Sequence, residues 1–338
     1  MAPGIKRLQR IQFGKEVTAG TLVAATARWR GTGATLSDDR KLEIVDEIVG
    51  FMGGTDRTII TENMGGLTLG AVPATPEQAQ YLFAMAMGGP TTGAADGVGT
   101  DKVYTNTIPT TAGVTLQSYT IETGDDRAQE VSTYGVCKSI TIEGKAGESA
   151  KISGTLLTRG VNNLGGFSAT TLPAVSELPT SQGKFYLDAI GGTAGTTQIT
   201  NQILGFKIVY EWMVIPKPTM DGSLDWSFAV LVDYKITGEI TFENDTAVLR
   251  SAGAKADFVS QTAKIMQIKL LGQNVTTPGT LYSQRQILMT HPIKWLNPPP
   301  LTDLQGNDTV VMKFQSRYNS TFGGAGSVVV VNELASLT

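Results

Sequence analysis

The chain has 338 residues, a formal net charge of -3, one cysteine and one histidine. That charge excludes the surplus of Lys and Arg with which a dedicated nucleic-acid binder displaces counterions from phosphates, and the lone Cys137 excludes an intrachain disulfide and a cysteine-based metal site. Charged residues make up 17% of the chain, below the roughly 25% of typical soluble domains; Gly and Thr fill the deficit, which suits a subunit that hides surface against neighbours, although a β-rich secreted domain has similar composition.

Residues 1 to about 40 read as an arm, interrupted by Gly14, Gly20, Gly31 and Gly33. Its opening has no apolar stretch of signal-peptide type, so synthesis and assembly in a cytoplasm are expected. An arm that cannot bury its own apolar groups orders against a partner, which makes Trp29 and its neighbours Arg28 and Arg30 candidate assembly residues; packing of Trp29 inside its own domain is the alternative. Alternation begins near Lys41, and strands are expected there, at Arg57–Thr61 and at Leu67–Leu69.

Thr75 as cap, Pro76 in the first helical position and Gln78 completing a capping box predict a helix over residues 76–87. Ala79, Leu82, Phe83, Ala86 and Met87 form one apolar stripe, and Gly88-Gly89-Pro90 ends the helix. Residues 90–113 read as a long loop. Strands are expected over Val114–Ile121, Val136–Ile142 and Ala150–Leu157, the last two joined as a hairpin through Glu143–Glu148. Residues 160–182 have the composition of a linker.

The second half opens with strands at Leu204–Ile215, Trp226–Val232 and Ile236–Glu243. Asn244 or Asp245 caps a helix running to about Gln261, with Val248, Leu249, Ala252, Ala256 and Val259 on one face. Further strands follow at Ile265–Leu271, Gln286–Met289, Val310–Ser316 and Val328–Val331. The halves correspond in element order: Gly66–Leu69 with Gly238–Phe242, helix 76–87 with helix 246–261, and Ala150–Leu157 with Thr309–Ser316. This predicts a mainly β chain of two tandem domains, 1–165 and 166–338.

Catalytic equipment is not legible. His291, beside Pro292, lacks the partners of a triad or ligand set, and Gly88-Gly89 follows a helix instead of opening one, the wrong end for an anion. Asp125-Asp126-Arg127 reads as a hairpin turn, and Asn297-Pro-Pro-Pro-Leu301 as a stiff loop. No run approaches the roughly 18 apolar residues of a membrane span. The expectation is a structural protein with no cofactor, not an enzyme.

The stretch Gln12–Ala25, with its Gly-Lys-Glu turn before Thr-Ala-Gly-Thr-Leu-Val-Ala-Ala, resembles the opening of tail tube (major tail) proteins of long-tailed bacteriophages. Gly54-Thr-Asp-Arg57, the Thr75–Gln78 helix start leading to Tyr81-Leu82, the strand and turn Thr120–Asp125, and Tyr134-Gly-Val-Cys137 follow in the order of that family. The resemblance covers most of residues 12–160 and, more loosely, the remainder. It implies tail-tube-type β-sandwich or split-barrel domains, each flanked by one α-helix, with long loops and the N-terminal arm.

It further implies a virion tail protein whose subunits form rings with joined inner sheets, stacked into a tube that conducts DNA, with the tape measure protein and tail terminator and tip proteins as partners. Two domains per chain make a trimer with pseudo-sixfold symmetry the expected ring, a hexamer being the alternative. A lumen that lets DNA pass without gripping phosphates needs polar or acidic walls, so Glu43, Glu122 and Glu239 are candidate channel-lining residues. Another virion component (a decoration or head–tail connecting protein) and a carbohydrate-binding β-sandwich remain the alternative functions; Trp212, Trp226 and Trp295 permit an aromatic platform for the latter but are better explained as core aromatics.

Overall fold

The computed structural model describes residues 4–32, 34–53, 55–244, 253–296, 301–304 and 306–337. The first half contributes β1 (Arg10–Lys15), β2 (Ala27–Arg28), β3 (Thr35–Asp38), β4 (Lys41–Ile44), β5 (Thr58–Glu62) and β6 (Gly65–Pro73), then helix α1 (Pro76–Met87). After it come β7 (Ala94–Ala95), β8 (Lys102–Thr107), β9 (Tyr119–Gly124), β10 (Gln129–Lys145), β11 (Lys151–Thr158) and β12 (Asn162–Leu164). The second half contributes β13 (Lys184–Ala189), β14 (Gln198–Ile199), β15 (Ile203–Lys217) and β16 (Phe228–Glu243), then α2 (Ala254–Val259). It ends with β17 (Lys264–Asn274), β18 (Gln284–Trp295), β19 (Thr302–Leu304), β20 (Asn307–Ser316) and β21 (Ser327–Asn332).

One pairing scheme runs through both halves, antiparallel throughout. In the first, β1 pairs β9, β9 pairs β10, β10 pairs β11, β11 pairs β6 and β6 pairs β3, with β12 on the free side of β10. In the second, β13 pairs β17, β17 pairs β18, β18 pairs β20, β20 pairs β16 and β16 pairs β15, with β21 on the free side of β18. The two schemes meet where β10 pairs β15 over Ser139–Lys145. The series of pairings never returns on itself, so the described strands form open sheets of a mainly β, sandwich-type fold.

β10 serves two layers because it bends. Its register shifts between Ser132 and Gly135, and Tyr134 adopts a positive φ of 57°. A side chain at Gly135 would lie 2.7 Å from Ile121 Cδ1, so the bend needs a glycine. Before it, β10 lies in a flanking sheet with β9 and β12; beyond it, β10 joins the long sheet β3–β6–β11–β10–β15–β16–β20.

Helix α1 starts and stops where expected, with Pro76 at its first turn and Gly88 in the left-handed conformation at its end. The capping box does not form: the Thr75 hydroxyl donates to Gln78 Oε1 at 3.0 Å and caps no backbone N–H. The helix is also not amphipathic in use. All twelve of its residues are buried, because it lies between β10 on one side and β8, β18 and β21 on the other. In that interior Gln80 and Asn106 exchange side-chain hydrogen bonds at 3.0 and 2.8 Å, and Phe83 meets the edge of Tyr210 from β15 at 5.8 Å. One buried apolar cluster thus draws on both halves.

Several expectations need correction. The arm is not free, since β1 pairs β9 and β2 pairs β1. The loop over 90–113 contains β8, which extends the second half's flanking sheet by pairing β21. Val114–Ser118 is irregular, and the strand begins at Tyr119. The two strands expected at Trp226–Val232 and Ile236–Glu243 are one hairpin arm, β16, which begins at Phe228 and whose register shifts opposite Met213/Val214, so that the alternation breaks into two apparent strands. Of the second helix, Ala254–Val259 is described and Val259 is 75% exposed; Asp245, Val248, Leu249 and Ala252 lie outside the described residues, as do Gly33, Gly54 and Asn297–Pro300.

Candidate functional site

The long sheet has two unlike faces, because side chains alternate along each strand. One face is core: Ile142, Ile152, Ile208 and Tyr210, with Ile236, Ile240, Met312 and Phe314, are all buried. Gly238 sits among them because a side chain there would lie 2.4 Å from the Phe314 ring and 2.5 Å from the Lys207 carbonyl.

The opposite face is polar, and registry orders it into rungs. Lys151, Glu143, Lys207, Glu239 and Lys313 stand abreast on β11, β10, β15, β16 and β20. The next rung along is Ser153, Thr141, Val209, Thr237 and Gln315, and the one after is Thr35, Thr68, Thr155, Ser139, Glu211 and Lys235. Every lysine of the first rung has a glutamate beside it. Lys207 Nζ lies 3.8 Å from Glu143 and Lys235 Nζ 3.9 Å from Glu211, with all four side chains substantially exposed. Such pairs add little stability; their effect is to offset most of the positive charge of the face, two glutamates standing among the three lysines of the first rung.

Of the candidate channel residues, Glu239 stands in the first rung and is half-buried. Glu43 is exposed on β4, opposite Ile59 of the ribbon that extends β3 and β6. Glu122 offers no carboxylate to any surface, being 2% exposed. It accepts hydrogen bonds from Gln12 Nε2 (2.9 Å), Ala25 N (3.1 Å) and Ser168 N (2.9 Å), and so fastens the N-terminal segment to β9. Glu16, the residue after β1, does the same, accepting from Gly20 N, Ser118 Oγ and Tyr134 N.

The assembly-arm candidates divide similarly. Trp29 is 5% exposed and meets Phe13 edge-on at 6.0 Å, so it is a core residue. Arg28 is held within the chain through Thr170, with hydrogen bonds of 3.1 Å to its hydroxyl and to its carbonyl. Arg30 is exposed. Trp212, Trp226 and Trp295 are each at most 3% exposed, so no aromatic platform for sugars stands on the surface from these three.

Buried ionisable groups are structural. Burial pushes His291 down to about 4, and its Nε2 lies 2.8 Å from the Tyr210 hydroxyl. Burial pushes the Cys137 thiol far up, away from a reactive thiolate. Among the described residues, no group of three or more His, Cys, Asp and Glu is arranged to hold a metal ion.

The family model for the phage tail tube protein matches residues 7–316. The chain belongs to the phage tail tube protein family. It is a structural protein of the virion tail that self-assembles into the tail tube, and the family is not one of enzymes. No curated protein matches the chain. The ordered polar face was missed in the sequence because each strand's alternation was visible, whereas the alignment of rungs depends on register between strands far apart in the chain.

Proposed function

We propose that three copies of this chain close into a ring, with their polar sheet faces inward, and that rings stack into a conduit through which DNA passes. Each chain supplies two tube domains, approximately 1–165 and 166–338, so three chains give pseudo-sixfold symmetry. The observation that carries this reading is the repeated pairing scheme, joined through β10 and β15 into one unbroken sheet. At its two ends, the outer edges of β3, of β19 and of the last two residues of β18 (Lys294 and Trp295) remain without a strand partner among the described residues, and a ring would use such edges productively.

The polar face suits transit. Each lysine of the first rung is flanked by glutamate, which supports a lumen that DNA phosphates do not grip. Glu239, and Glu43 on the adjoining ribbon, are the proposed lumen residues. By family membership the tape measure protein would fill the tube during assembly, and terminator and tip proteins would close its ends; synthesis in the bacterial host cytoplasm belongs to the same reading. Negative-stain microscopy with native mass spectrometry tests it: three-chain rings with a central hole are expected, and rings of six chains would refute the proposed stoichiometry.

A further inference from the structure

The β15–β16 hairpin has a built seat for its tip. Asn63 N donates to the Leu224 carbonyl at 2.9 Å and Asn63 Nδ2 to Asp225 Oδ1 at 3.0 Å. Arg159 Nε and Nη2 donate to the Trp226 carbonyl at 3.0 and 2.8 Å. The Trp226 ring is 0% exposed, 4.2 Å from the Tyr134 ring, and the Arg159 guanidinium lies over both rings at 5.6 and 5.1 Å. The residue after β11, the residue after β5 and the bend of β10 therefore form one socket, occupied from within the chain.

The second half repeats the framework of that socket. β11 ends at Thr158, paired with Gly65, and Arg159 follows; β20 ends at Ser316, paired with Ile236, and Arg317 follows. At this second position lies a cleft of about 810 Å³ lined by Leu231–Lys235, Gln315–Tyr318 and residues 109–114. Arg317 is exposed and has no hydrogen bond or ion pair among the described residues, and Tyr318 is 55% exposed.

The hairpin that corresponds to β15–β16 in the first half is the ribbon β3–β4 with β5–β6, and its tip is bare. Ile48 and Met52 are 104% exposed and Phe51 74%, with Asp46 and Asp56 exposed beside them. β3 and β20 stand at opposite ends of the long sheet, six strand spacings or roughly 30 Å apart, so the tip is remote from its own chain's cleft.

We propose that the cleft beside Arg317 is the socket for the β4–β5 tip of a second copy of this chain, with Phe51 stacked on the Arg317 guanidinium. Tip carbonyls accept from Arg317 as the Trp226 carbonyl accepts from Arg159, and Asp46 and Asp56 meet the positive charge of Arg317 and Lys235. The proposal rests on the ring reading and fixes which parts of neighbouring copies touch.

Two single-cysteine proteins test it, one carrying Met52→Cys and the other Lys235→Cys; native Cys137 is buried and shielded from reagent. Mixed, assembled and treated with a short bismaleimide, they should give covalent dimers absent from either protein alone. Three-chain rings without such dimers would overturn the socket and leave the ring reading standing; dimers without three-chain rings would support the socket and sink the ring reading. As a second measurement, Arg317→Ala should leave monomer melting unchanged and raise the concentration needed for rings about thirtyfold, the worth of a desolvated cation–π contact. Unchanged ring formation would also overturn the socket.

Discussion

Replacing Glu333 with Gln should weaken the protein in a strongly pH-dependent way. Glu333 Oε1 accepts from Thr276 N at 2.6 Å and from the Thr100 hydroxyl at 2.8 Å, and its other oxygen takes an Arg285 N–H. Burial works to raise its pKa, but these bonds prevail and hold it at about 2 against an ordinary 4.5. A depressed folded pKa contributes stability that is fully present above the unfolded value and lost as pH falls toward the folded one. That shift corresponds to about 3 kcal/mol at pH 7, falling to about 1.4 kcal/mol at pH 3. Urea unfolding of both proteins at pH 7, 5 and 3 reads the difference directly, since the Gln variant cannot titrate. A gap that stays constant from pH 7 to pH 3 would refute the reasoning, because it would mean that the loss comes from packing and not from the carboxylate's charge.

Other sites give sharper contrasts. Gly238→Val should cost about 1–3 kcal/mol by driving a side chain into Phe314, whereas Thr237→Val on the polar face should leave the melting temperature nearly unchanged. Asp101→Asn should stabilise the protein at neutral pH by about 1 kcal/mol: Asp101 is 0% exposed, and burial, offset in part by its own backbone N–H and reinforced by the charge of the neighbouring Asp96 carboxyl, raises its pKa, a cost that grows as pH rises. An NMR titration should show His291 neutral until pH approaches about 4; protonation near 6.5 would contradict its burial against Tyr210.

Much of the fold was legible where local chemistry decided it. The Pro76 start and Gly88 stop of α1, the Asp125 turn (whose Oδ1 accepts from Arg127 N and Ala128 N) and most second-half strands follow from short-range rules. What escaped was long-range. β1 and β8 are strands because β9 and β21 stand beside them, and nothing in their own residues demands it. Glu122 and Trp29 looked available because a sequence shows neither the Ser168 segment that covers one nor the Phe13 ring that packs the other. The halves share little sequence, since a pairing scheme constrains alternation and turns but leaves identities free.

The central claim is that two pairing schemes per chain build a closed wall with the rungs of Glu143, Lys207 and Glu239 facing inward. A reconstruction of the assembled tube by electron cryomicroscopy measures this most directly. The account predicts three chains per ring, with the rungs lining the lumen and Ile142, Ile208 and Ile240 turned away from it. Six chains per ring, or rungs turned outward, would contradict it.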